Sequence, residues 1–192
     1  MEYALGIENG PDSVSGGTGI LLLHPSTGET DRIDTGFLSE DTDAFLVIST
    51  RTTAREVQQK LDHFEVDQSK ATILDTLSVE RGYSRRGADN IHYVSAPDDL
   101  EGIVTQVERF FEKTDGKRRL TLDSVTELAY YADEAGAKLA VERILDMLDT
   151  YDGIGLFHLS PEVHDAPYVE KMESMFDGVV ELTPDGMITA RF

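Results

Sequence analysis

Short apolar runs alternate along this chain with stretches in which hydrophobic residues recur every three or four positions. An apolar run of four to eight residues reads as a buried strand, and recurrence near 3.6 reads as an amphipathic helix. Residues 20–23 and 44–49 are runs of the first kind, and 72–77, 91–94, 119–122 and 153–159 supply further strands. Val57, Leu61 and Phe64 mark a helix that the Glu56/Lys60 pair supports at i,i+4. Leu100, Ile103, Val104, Val107, Phe110 and Phe111 form the clearest apolar stripe, with Ser95 as its N-cap. Another helix runs through Leu139, Ile144, Leu145 and Leu148, and a last one covers 169–176. From Gly178 the chain pairs off as two short strands around Pro184-Asp185-Gly186. Strands alternating with helices predict an α/β fold of three layers, a central and mostly parallel sheet with helices on both faces.

Residues 9–19 and 80–90 break this rhythm and read as loops, without a domain boundary. At 192 residues the chain has room for one well-buried core. The expectation is a single domain over 1–192, with a lead-in loop over 1–18, a core over 19–182 and a C-terminal strand over 183–192. Gly16, Gly17 and Gly19 precede a strand rather than follow one, which suits a tight turn into the sheet and not a dinucleotide fingerprint.

Charge narrows the partners. Lys and Arg number 17 against 37 Asp and Glu, a formal net charge of -20. Such a balance argues against nucleic acid, which needs clustered positive charge, and against an anionic membrane surface. No apolar run approaches the roughly 20 residues of a membrane span, and no basic segment followed by an apolar one opens the chain. A cytoplasmic location is expected. The absence of cysteine excludes thiol nucleophiles and thiolate metal sites. Acidic residues are dispersed rather than gathered in a tail, which fits a salt-rich solvent better than an acidic binding surface. In molar salt the Debye length is about 3 Å and the self-repulsion is screened.

In parallel sheets the functional crevice lies at the carboxyl ends of the strands. Leu23-His24-Pro25-Ser26-Thr27-Gly28-Glu29-Thr30 follows the first core strand. Set against the phosphate loop G-x-x-x-x-G-K-[ST], it keeps Gly28 and Thr30, but Leu23 replaces the first Gly and Glu29 the Lys. Unit charges about 4 Å apart interact by roughly 4 kcal/mol at an effective dielectric near 20, so this reversal opposes a phosphate strongly. Arg118-Arg119-Leu120-Thr121-Leu122-Asp123 ends in an acid, where phosphoryl-transfer proteins hold Mg²⁺ and many other proteins merely cap a helix.

Residues 44–77 carry a resemblance. Phe45-Leu46-Val47-Ile48-Ser49-Thr50-Arg51-Thr52-Thr53, then Val66-Asp67 and Ala71-Thr72-Ile73-Leu74-Asp75, are similar to the second strand, helix and third strand of RecA-like proteins, and among them of the KaiC-like ATPases. Residues 153–160 and 175–182 look like the closing strands, so the resemblance spans about 19–182. It is nearest to short KaiC-like proteins of salt-loving archaea with eroded nucleotide sites. The resemblance implies a RecA-like P-loop fold and assembly into oligomers or with an active relative. It also implies catalytic glutamates after the second strand, where this chain has Thr50 and Arg51. A site that works by positioning and charge loses its mechanism with those parts. The expected function is therefore a non-catalytic regulatory or scaffold protein acting through protein contacts, with no cofactor. The alternative is a nucleotide-binding or slow ATPase module using ATP with Mg²⁺, in which Arg51, His24 or a residue of a partner replaces the Lys. Ser26, Thr27, Gly28, Thr30 and Asp123 are the residual nucleotide-binding candidates, and Thr30 and Asp123 would meet a metal only with a bound Mg-nucleotide.

Other features carry weaker readings. Arg81, Arg85 and Arg86, with Tyr83 among them, form the densest basic cluster and a candidate partner contact. His158, His164 and Asp165 could meet at a metal, His24 could bind an anion when protonated, and Glu29, Asp123 and His24 could converge for other chemistry. Each of these has a structural alternative, capping or a solvated surface. Tyr130 and Tyr131 are expected to pack at a helix start.

Overall fold

The computed structural model describes residues 1–85 and 87–192. The chain opens with an antiparallel pair, β1 (Glu2–Ala4) and β2 (Ser13–Ser15), before entering the main sheet at β3 (Gly19–Leu23). Then follow α1 (Asp31–Ser39), β4 (Ala44–Ser49), α2 (Ala54–His63), β5 (Ala71–Asp75), β6 (Ile91–Tyr93), α3 (Leu100–Lys113) and β7 (Arg118–Asp123). The rest comprises α4 (Val125–Tyr131), α5 (Glu134–Tyr151), β8 (Ile154–Leu159), α6 (Ala166–Glu173), β9 (Gly178–Leu182) and β10 (Ile188–Arg191). Among the described residues, eight strands form the main sheet in the order β10-β9-β3-β8-β7-β4-β5-β6, antiparallel only where β10 meets β9.

Strand alternation divides the core into two layers. Ile20 and Leu22 join Tyr3, Phe37, Val57 and Leu61 on the side of α1, α2 and the β1–β2 pair. Leu21 and Leu23 join Val104, Phe111, Leu128, Ile144 and Met172 on the side of α3, α4, α5 and α6. Both faces of the central strands are covered, which is why their sequences are continuous apolar runs. The connection through α1 leaves the C-terminal end of β3 and returns at β4, with β8 and β7 lying between the two. A crevice opens at that end of the sheet.

The three-layer α/β expectation holds, with local corrections. Residues 1–18 are not merely a loop, because Tyr3, Leu5 and Val14 are buried and anchor β1 and β2. Gly16 and Gly17 do serve a close approach: a Cβ on Gly16 would lie 1.9 Å from Asp152 Oδ1, and Gly17 has φ +91°. Helix α1 has no counterpart in the sequence reading, because Thr35 and Gly36 obscure its Ile33/Phe37/Leu38 stripe. Asp99, not Ser95, caps α3 by accepting from Gly102 N, while the Ser95 hydroxyl donates to Asp99. β5 ends at Asp75 rather than 77 because the buried Asp75 carboxylate accepts from Ala54 N, Leu77 N, Ser78 N and Ser78 Oγ, bending the chain away. Asp133 starts α5 as a separate helix by accepting from Gly136 N. α6 begins at Ala166, capped by Asp165. Tyr130 and Tyr131 end α4 instead of starting a helix, and Tyr130 is 79% exposed. Among the described residues of 80–90 there is no helix or strand, as expected.

Candidate functional site

The crevice floor is a chain of ionisable groups contributed by six elements or their ends. His158 continues the Ile154–Leu156 face of β8 and so points toward α1. Its Nε2 lies 2.8 Å from Asp34 Oδ1. Asp34 sits on the buried side of α1, next to Ile33. Lys60 reaches it from α2, donating to Oδ2 at 3.2 Å, and also lies 3.5 Å from Asp31. On the other side of the His158 ring, Nδ1 lies 3.2 Å from Nε2 of His24, the residue that follows β3, and 3.8 Å from Asp123 Oδ1 at the end of β7. Arg51, just past β4, lies along the Asp123 carboxylate, with Nη2 donating to Oδ2 at 3.1 Å and Nε 2.8 Å from Oδ1. Thr50 completes the clamp: its hydroxyl donates to the Asp123 carbonyl at 2.7 Å and accepts from Ser124 N at 2.7 Å.

Burial makes these charges consequential, since His24, Asp34 and His158 are all at most 2% exposed. Burial alone would raise the Asp34 carboxyl, but His158 and Lys60 outweigh it and hold it well below the ordinary range. Burial would lower Lys60, and Asp34 with Asp31 raises it instead. His158 behaves alike: burial opposes its charged form, while Asp34 and Asp123 together raise it. His24 goes the other way, lowered by burial and then by His158. It is therefore held toward its neutral form, which counts against the expectation that a protonated His24 binds an anion.

The candidates from the phosphate-loop reading are split. Ser26 N–H donates to the Glu162 carboxylate, from the segment after β8. Gly28 N–H turns inward to the Pro25 carbonyl at 2.7 Å. Thr27, Gly28 and Glu29 line a separate hollow with Arg32 and Asp185. Thr30 is buried at the start of α1, its hydroxyl 3.5 Å from Asp34 and bonded to no helix amide. Thr30 and Asp123 thus touch one network through Asp34 and His158, whereas Thr27 and Gly28 stand outside it. Loop 24–30 supplies no Lys or Arg, and the first turn of α1 carries Asp31 and Asp34.

Other expectations fare differently. His164 does not join His158; it lies 3.0 Å from Glu134 Oε1 and 3.1 Å from Thr126 Oγ1, and Asp165 serves as a cap. Glu29 is exposed and apart from His24 and Asp123, so that trio does not form. Arg81 and Arg85 are exposed, with Arg81 beside the Tyr131 and Tyr83 hydroxyls, which favour its charged form. Arg86 lies outside the described residues. Sequence reasoning missed Asp34, Lys60 and Glu162. The legible signal for Asp34 was an acid inside the apolar stripe of α1. Among the described residues, His24, Asp123 and His158 form a group able to hold a metal ion, their ligand atoms all within 4.8 Å of one another. No helix among the described residues is long and apolar enough to cross a membrane.

Solved structures with this architecture include an ATPase from the type III secretion system of pathogenic bacteria, 15% identical, with a TM-score of 0.66 over 96% of this chain. The chain spans only 57% of that protein's length. A KaiC-like protein from the archaeon Pyrococcus horikoshii is 16% identical over 88% of this chain and 73% of its own, with a TM-score of 0.65. An uncharacterised protein from the same organism, solved with an unknown peptide, is 13% identical over 92% and 83%, with a TM-score of 0.66. At these identities the likeness establishes the RecA/KaiC-like P-loop ATPase fold and nothing finer. No curated protein matches the chain by sequence. One family model does match, from residue 1 to residue 192, and the chain accordingly belongs to the family described as a family of unknown function, DUF7090.

Proposed function

We propose that this chain is a RecA-like domain without ATP hydrolysis that works as a regulatory or scaffold protein through contacts with copies of itself or with an active relative. The observation that carries this reading is that the loop amide a phosphate would use is engaged by the chain's own carboxylate: the Ser26 N–H donates to Glu162. A phosphate approaching loop 24–30 meets carboxylates at Glu29, Asp31 and Glu162, with no Lys or Arg from the loop to offset them. Phosphoryl transfer relies on positioning and charge stabilisation, and no carboxylate follows β4 to orient an attacking water, since Thr50 and Arg51 stand there and clamp Asp123. These residues do not fit a Mg-nucleotide, and no step is assigned to one.

Titration calorimetry of ATP and ADP with Mg²⁺ in about molar KCl, where surface charge is screened, tests the reading. The native chain should give no heat, and a Glu29→Lys/Glu162→Gln variant should gain affinity. Micromolar binding by the native chain, abolished by Asp123→Ala, would instead establish a nucleotide-binding module. The protein-contact half is tested by sedimentation of the pure chain and of its mixture with RecA-like proteins from the same cells. A monomer that joins none of them would overturn it.

A further inference from the structure

We propose that His24, His158 and Asp123 form a binding site for one zinc-class divalent ion at the C-terminal ends of β3, β8 and β7. The outer partners of the two imidazoles settle where their hydrogens are. His24 Nδ1 lies 2.8 Å from the Pro25 carbonyl oxygen, so it carries the hydrogen and donates. His158 Nε2 lies 2.8 Å from Asp34 Oδ1, where a bare nitrogen would set a lone pair against a carboxylate, so it carries its hydrogen too. With both hydrogens directed outward, His24 Nε2 and His158 Nδ1 face each other across 3.2 Å as two lone pairs. An electrophile belongs between them.

A shared proton needs only the two nitrogens, whereas an ion has a third ligand at hand. Asp123 Oδ1 lies 3.8 Å from His158 Nδ1, and the three ligand atoms are within 4.8 Å of one another. Zinc bonds of about 2.0–2.1 Å at tetrahedral angles place ligand atoms about 3.3 Å apart, so the His24–His158 separation already fits and the widest of the three closes by at most about 1.5 Å. A proton between the nitrogens is the competing state, and the Asp123 charge favours it as well; zinc stoichiometry separates the two. The outer contacts are also those of metal-binding histidines, a carboxylate behind one ring and a backbone carbonyl behind the other. Arg51 does not close the site, because a carboxylate offers about four lone-pair positions and Arg51 occupies two while fixing its orientation. Two imidazoles and one carboxylate suit zinc, cobalt or nickel, and not magnesium or calcium, which prefer oxygen alone. The Asp123 side chain is 19% exposed while His158 is fully buried, so the ion reaches the site past the carboxylate. This site stands whether or not the chain binds nucleotide.

The test uses the full chain stripped of metal with a chelator, in about molar KCl so that scattered surface acids do not compete. Titration with ZnCl₂ against a colorimetric chelator should give one ion per chain. CoCl₂ should give the intense visible bands of a four-coordinate ion, and MgCl₂ should not displace either. His24→Gln, checked for native circular dichroism, should weaken zinc by at least about 100-fold, more than loss of an outer partner does. His164→Gln should leave it unchanged. If His24→Gln fails to fold, Asp123→Asn, of nearly the same size, serves the same comparison. Stoichiometric zinc that survives His24→Gln in a folded chain, or no binding above that of the His24→Gln variant, would overturn the site and leave a shared proton between the rings. Neither outcome bears on ATP, which the calorimetry reads separately.

Discussion

Both ends of β7 bury charge, and they neutralise it by different means. At the N-terminal end Arg118 and Arg119 are 8% and 0% exposed. Arg118 donates to the carbonyls of Phe111 at 3.1 Å, Thr114 at 2.9 Å and Tyr151, so one guanidinium closes the ends of α3 and α5, where helix dipoles favour a cation. Arg119 donates to the Ala4 carbonyl at 2.6 Å and lies between the rings of Tyr3 and Phe37, 5.4 and 5.1 Å from their centres. These partners cannot titrate between pH 4 and 9. At the C-terminal end Asp123 meets Arg51, His158 and, through His158, Asp34 and Lys60, so there the partners are themselves charged or ionisable side chains. One end is a joint that binds the β1–β2 pair and two helices to the sheet. The other gathers ionisable side chains whose charges depend on one another, His158 among them.

The largest effect expected from breaking this contrast is at Asp34. Asp34→Asn keeps the shape and leaves Lys60 and His158 buried without their shared anion, which should cost about 3–5 kcal/mol in urea unfolding. The cost should also depend on pH. Asp34 has a folded value below its unfolded one, so its contribution exists above about pH 4 and is lost as the pH falls. Lys60 has a folded value above its unfolded one, so its share is complete below about pH 10.4 and is lost as the pH rises further. His158 also has a folded value above its unfolded one, so its share is complete below about pH 6.5 and is lost as the pH rises further. The difference between wild type and Asp34→Asn should therefore be greatest between about pH 4 and 6.5 and shrink on either side. A flat difference from pH 3 to 7 would mean that Asp34 acts by packing alone.

Arg118→Met comes next. It strands the carbonyls at the ends of α3 and α5 and should cost roughly 3 kcal/mol, for buried acceptors left unpaired. Since carbonyls do not titrate, that loss should be the same at pH 5 and pH 8, and a pronounced pH dependence would erase the distinction between the two ends. The smallest effect is expected from Tyr3→Phe. It keeps the ring over Arg119 and removes a hydroxyl that donates to the Asp152 carbonyl at 2.7 Å and accepts from Arg118 N at 3.1 Å, a loss of about 1 kcal/mol. Thermal unfolding of that variant in about molar KCl would show whether the β1–β2 pair melts with the sheet, as its burial requires, or before it.

Much of the fold was legible because parallel strands buried on both faces must be apolar throughout, as at Ala44–Ser49 and Ile154–Leu159. The site was half legible. Asp123 and His24 stand at strand ends, where a polar residue after an apolar run attracts notice. Asp34 escaped because a single acid in a short helix interrupted by Gly36 looks like surface. His158 was singled out but with the wrong partners, because nearness in the chain pointed to His164 while strand register brings His24 and Asp34 beside it. The Ser95 expectation failed for a related reason: serine and aspartate both cap helices, and only the backbone shows which amide lies within reach.

The amino-acid sequence by itself determined the alternation of strands and helices, and with it the layered α/β architecture and its strongly acidic surface. Periodicity of burial is a local property, and each segment carries it whatever its neighbours are. The tertiary structure alone decided which charges meet. Asp34, Lys60, His158, Asp123 and Arg51 come from distant points of the chain, and their attraction depends on a separation of about 3 Å in a largely buried site. Crossover order and strand register set that distance, and no single segment encodes either.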